Sequence, residues 1–174
     1  KGYALATAAG DSVSDLWNEL TMPADESQRE FLFHGTRPST IRQLLGDKLM
    51  HCFRSSPRPE GRYGVILAST KGMSDDFVWS EESLTARDPL TPILEDFLKS
   101  SGLTPERSLC VSNACSSALA AIRLAQIWLN QDLDEVLVLA ADAVTPFVKK
   151  GFQSLHLISR DYPRPFAAGR SGFF

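Results

Sequence analysis

Cys115 sits where an apolar strand end gives way to a helix, in the run Val111-Ser112-Asn113-Ala114-Cys115-Ser116-Ser117-Ala118-Leu119-Ala120-Ala121. The first backbone N–H groups of a helix lack intrahelical partners and carry a partial positive charge, so an anion there is favoured by roughly 0.3–2 kcal/mol. The thiolate is the nucleophilic form of cysteine, and the same N–H groups suit the oxyanion that forms when it attacks a carbonyl. Nucleophilic catalysis by Cys115 is the predicted chemistry. The alternative is a buried cysteine acting as a small hydrophobe. Other candidates carry less. His34 lies in a polar loop and His156 reads as a surface residue, while His51 and Cys52 are adjacent in sequence, which does not make their side chains face each other. Asp75, Asp76, Glu81 and Glu82 lack metal-ligand spacing and read as a solvated face. No metal or cofactor is expected.

The elements that must position Cys115 follow from periodicity. Leu109 to Ser112 is predicted as a buried strand. Leu119 to Leu129 is interrupted only by Arg123 and Gln126, too long for a strand and too apolar for a surface helix, so it reads as a helix sandwiched in the core. Glu135 to Ala141 is apolar without alternation, which predicts a strand covered on both faces. Together these make one parallel βαβ unit with Asp132 to Asp134 as its second turn. Tyr63 to Ser69 is a further short apolar strand.

Helices are predicted over 12–20, with Val13, Leu16, Trp17 and Leu20 on one face, and over 39–49, with Ser39 as N-cap. A third begins with Thr91 as N-cap and Pro92 at N1 and ends near Gly102. A short one spans roughly 148–157 around Gly151, a close-packing or kink point. The fold class is α/β.

The chain has 174 residues, 43% of them hydrophobic and 22% charged, which is ordinary globular composition with room for a sizeable core. Its net charge of -3, without a basic stripe, gives nucleic-acid binding no electrostatic support. No apolar run reaches spanning length and no signal peptide is visible. Three cysteines, Cys52, Cys110 and Cys115, make no disulfide framework or zinc pattern, so the expected setting is reduced and cytoplasmic, away from membranes. The start without methionine and the final Phe173-Phe174 predict a truncated chain.

The run around Cys115 resembles the nucleophile motif of the β-ketoacyl-acyl carrier protein synthases, T-A-C-S-S-G or T-A-C-A-S-G. Val136 to Phe152 resembles that family's following strand and segment, and Arg164 to Phe173 resembles its R-P-F-D-x-x-R-D-G-F stretch, so three motifs occur in the family's order. The N-terminal pattern at Gly10 to Trp17 and the run Gly151, Phe152, Leu155, Ile158 and Ser159 are similar to it as well. Asn113, Ala118 and Ala167 depart from the usual Thr, Gly and Asp.

The resemblance implies a thiolase-like half-fold across 1–174. This would be a mixed, mostly parallel sheet with helices on both faces and a buried nucleophile helix, the C-terminal half being absent. It implies that Cys115 takes an acyl group from an acyl carrier protein thioester. A malonyl unit then decarboxylates to an enolate that attacks the acyl carbonyl, as in fatty-acid, polyketide or polyene synthesis. Two further groups, usually histidines, activate that decarboxylation in the family and lie in its second half, so this chain alone is expected not to condense. Arg164 and Arg170 would scaffold the site, and a homodimer, or a heterodimer with a ketosynthase-like subunit, is implied. Two other readings stay open: a non-catalytic acyl-binding or dimerisation module docking through a sheet edge, and another thiolase-fold acyltransferase.

Overall fold

The computed structural model of the chain describes residues 40–76, 88–159, 166–170 and 172. The helix expected over 12–20, His34, the stretch 77–87 with Glu81 and Glu82, and Arg164 fall outside the described residues. The chain divides into two compact units, one running through Ala143 and the other continuing from Val144.

In the first unit, helix α1 (Ile41–Arg54) opens on Thr40, whose hydroxyl accepts the N–H of Gln43 at 3.1 Å. The expected cap was Ser39, one residue earlier. Strand β1 (Tyr63–Ala68) is followed by helix α2 (Thr91–Ser101), strand β2 (Arg107–Val111), helix α3 (Ser117–Gln131) and strand β3 (Glu135–Ala140). The sheet order is β2-β1-β3 and both pairings are parallel. β1 therefore lies inside the predicted β2–α3–β3 unit, and the crossover spans it.

This order decides which strand is covered. Val65, Ile66, Leu67 and Ala68 of β1 are at most 1% exposed, as an all-apolar strand between two others should be. β3, expected to be covered on both faces, is mostly half-buried, and among the described residues β2 is an edge whose Leu109 is exposed. Apolar composition alone does not distinguish a central strand from its neighbours.

Alternation along β1 divides the core in two. Val65 and Leu67 pack with Leu45, Leu49 and Phe53 of α1 and Ile93, Leu94 and Phe97 of α2, where the Phe53 and Phe97 rings meet edge-on at 5.4 Å. Ile66 and Ala68 face Ala121 and Ala125 of α3. Helices thus lie on both faces, giving the α/β half-fold. α3 is buried on one side only: Ser117, Ala121 and Ala125 touch the sheet, while Leu119 and Ile122 are exposed. The small side chains, not the large ones, face inward, so the helix comes close to the strand. Gly64 completes this approach, since a Cβ there would stand 2.7 Å from the Trp128 ring.

Two polar devices fix the ends. The Asp88 carboxylate accepts the N–H groups of Leu90 at 2.8 Å and Thr91 at 3.1 Å, together with the Thr91 hydroxyl. It therefore does the capping expected of Thr91, which is itself the first residue of α2. Gly102 closes the helix at φ 66, a left-handed conformation that glycine takes without Cβ strain. At the opposite end of the sheet from Cys115, Arg62 pairs with Glu106 and Asp132, and Arg107 with Asp132.

The second unit contains helix α4 (Pro146–Ser154), capped by the Thr145 hydroxyl, which accepts the Val148 N–H at 3.3 Å. Among the described residues a Cβ at Gly151 would meet nothing within 4 Å, so close packing is not the reason for glycine there. No helix among the described residues is long and apolar enough to cross a membrane.

Candidate functional site

The three strands all end on the same side, as parallel pairing requires, and the loops beyond their C-terminal ends enclose a pocket of about 200 Å³. Crevices beyond the carboxyl ends of parallel strands are where open α/β sheets place ligands. Ala68 ends β1 and Thr70 follows it, Ala140 ends β3 and Ala141 and Asp142 follow it, Ala114 and Cys115 come from the turn between β2 and α3, and Ser117 and Ala118 open α3. Five of these nine residues are alanine, so the walls are low and the polar groups few.

Cys115 is exposed at this pocket. It does not begin the helix: α3 starts at Ser117 with Ser116 as N-cap, and Cys115 occupies the turn before it. That turn is tied by its own small residues. The Ser116 N–H reaches the Asn113 carbonyl and the Ser117 N–H the Ala114 carbonyl, both at 3.1 Å. The Asn113 side-chain amide donates to the Ser116 hydroxyl at 2.8 Å, which in turn donates to the Asn113 carbonyl at 2.9 Å. Ala114 takes φ 47, in the left-handed region that an L-residue with a Cβ disfavours. The strain lies one residue before the thiol, and the sharp reversal it allows presents Cys115 outward.

The N–H groups around the helix start fall into two sets. The N–H groups of Ser116 and Ser117 are engaged within the turn. Among the described residues, those of Cys115 and Ala118 have no acceptor, and both residues line the pocket.

Residue type and position alone did not single out Asp142, Ser69 and Thr70. The Asp142 carboxylate accepts the Ser69 hydroxyl at 2.8 Å, the Thr70 N–H at 2.9 Å and the Thr70 hydroxyl at 2.7 Å. A weak signal exists: each lies within two residues of the C-terminal end of an apolar strand, where parallel sheets build sites. Cys110 is separate from this pocket. It is half-buried in β2 against the α1–α2 side of the core, and burial pushes the pKa of its thiol up. Cys52 lies on α1. Arg170, in the second unit, donates to the Ala167 carbonyl at 3.3 Å.

The family model for the Beta-ketoacyl synthase, N-terminal domain, matches residues 105–174. That stretch contains β2, the Cys115 turn, α3, β3 and α4. No curated protein and no solved structure matches the chain.

Proposed function

Since residues 105–174 belong to the β-ketoacyl synthase N-terminal domain family, we propose that the pocket is an acyl-transfer site whose nucleophile is Cys115. The observation that carries this is the exposed thiol on a strained turn, beside two backbone N–H groups that have no acceptor among the described residues. The Cys115 thiol gives up its proton and its sulfur attacks the carbonyl carbon of an acyl carrier protein thioester. The Cys115 and Ala118 N–H groups receive the negative charge that develops on oxygen. As the tetrahedral intermediate collapses, the bond to the carrier sulfur breaks, that sulfur takes the proton, and the acyl group remains on Cys115.

The second half-reaction in this reading is attack on the acyl-cysteine by the enolate that a malonyl thioester forms on losing carbon dioxide; as the new carbon–carbon bond forms, the acyl–sulfur bond breaks and the Cys115 thiolate is released. It calls for further acid–base groups, and no histidine is among the residues lining the pocket. The reading places the chain in fatty-acid, polyketide or polyene synthesis.

Incubation of the chain with an acyl carrier protein thioester should raise its intact mass by one acyl group, mapped to Cys115 by digestion. Labelling that persists unchanged in Cys115→Ala would remove Cys115 from the role.

A further inference from the structure

We propose that Asp142 is a positioning residue for Cys115, acting through Ser69, Thr70 and the two serines that bracket the nucleophile turn. The carboxylate stands just past β3 and holds the loop just past β1 by three groups: the Ser69 hydroxyl, the Thr70 N–H and the Thr70 hydroxyl. Ser69 is only 2% exposed, and its hydroxyl also accepts the Gly72 N–H at 2.8 Å, so the loop has little freedom to rotate away.

The far side of this loop carries the nucleophile turn. The Ser112 hydroxyl donates to the Thr70 carbonyl at 2.9 Å, just before the turn. Just after it, the single proton of the Ser117 hydroxyl lies between the Ala114 carbonyl at 2.7 Å and the Ser69 carbonyl at 3.2 Å. The Ser117 oxygen meanwhile accepts the Asn113 N–H at 2.8 Å. Both flanks of Cys115 therefore rest on the backbone of two residues whose position Asp142 sets. Asp142, Thr70 and Ser112 are exposed, but Ser69 and Ser117, through which the links run, are 2% and 4% exposed; hydrogen bonds anchored on buried groups hold one geometry, and reacting atoms tolerate little misplacement.

The consequence for catalysis rests on the acyl-transfer reading above; the consequence for the placement of the thiol does not. The test is single-turnover acylation of the full chain by an acyl carrier protein thioester, read as a limiting rate and a half-saturating concentration. Asp142→Ala should lower the limiting rate on the order of tenfold and leave half-saturation unchanged. Asp142→Asn keeps an oxygen for the Ser69 hydroxyl and the Thr70 N–H and should recover most of the rate. With Ser117→Ala already in place, Asp142→Ala should add little, because both act on one turn.

A folded Asp142→Ala with the parent's limiting rate, or losses that simply multiply in the double variant, would overturn the proposal. Should Asp142→Ala fail to fold by circular dichroism, the double variant Ser69→Ala/Thr70→Val removes both hydroxyls that the carboxylate holds, and an unchanged limiting rate there overturns it equally. If the parent chain takes no acyl group, the acyl-transfer reading falls, and the rate of Cys115 alkylation by iodoacetamide decides the positioning alone. An order of parent, Asp142→Asn, then Asp142→Ala supports it, and equal rates reject it.

Discussion

Replacing Ala114 by glycine should make the protein more stable and its thiol slower. At φ 47 an alanine carries a steric cost of about 1–2 kcal/mol that glycine lacks. Glycine gives back about 0.4–1 kcal/mol through the greater freedom of its unfolded chain. Ala114 is exposed, so its methyl contributes little packing, and the balance is a gain of about 0.5 kcal/mol. Valine, with a β-branch at positive φ, should instead cost more than alanine does. The strained turn also presents Cys115, and glycine opens alternative backbone conformations to it, so alkylation of Cys115 should slow by a few-fold. Urea unfolding followed by circular dichroism gives the first quantity, and mass-resolved alkylation kinetics the second. A loss of 1 kcal/mol or more in Ala114→Gly would show that the methyl is packed and not strained, and the argument for a stressed turn would fail.

Two further outcomes follow from the scaffold. Asp88→Ala should cost about 1 kcal/mol near neutral pH by uncapping α2. The Thr91 hydroxyl, helped by the Leu90 and Thr91 N–H groups, holds the Asp88 carboxyl below the usual range. Its stabilisation is therefore complete above the unfolded value of about 3.9 and is lost as the pH falls through the lower folded value. The gap between parent and variant should shrink in acid unfolding series below about pH 4, and a gap independent of pH would contradict the cap. Gly64→Ala should destabilise by about 1–3 kcal/mol, since the new methyl would stand 2.7 Å from the Trp128 ring. Thermal melts equal to the parent would mean that α3 can slide off the strand at no cost.

What could be read from residues alone depended on how local the cause was. β1 and β3 were legible because continuous apolar runs need cover, and Gly102 because a helix stop at positive φ is a local demand. Strand order was not, because parallel crossovers leave no turn residues that specify neighbours, so β1 between β2 and β3 had no trace in the β2–α3–β3 segment. Capping differs twice for a related reason: Thr40 and Asp88 supply the oxygens that reach the free N–H groups, where pattern points to Ser39 and Thr91, because a cap is fixed by backbone geometry and several neighbouring residues carry a suitable oxygen. In the site, Cys115 announced itself through the small residues around it. Asp142 did not, because its partner Thr70 lies 72 residues away, and a single aspartate after an apolar strand looks like any loop residue. α3 was misjudged as wholly covered because composition counts apolar side chains without saying that the alanines, and not Leu119 or Ile122, turn toward the sheet.

The order β2-β1-β3 also has a consequence in time. β1 is made first and waits through the synthesis of β2 and α3 before β3 can close on its other side, so the pairing Ala68↔Ala140 ends the longest loop in the sheet. Asp142 arrives only with that last strand. Until then the Ser69–Thr70 loop lacks its carboxylate, and the thiol two elements away lacks a fixed seat. Placement of the Cys115 thiol would therefore wait on the pairing of β1 with β3, and a chain with only β1 and β2 paired would carry the cysteine without the seat proposed for it.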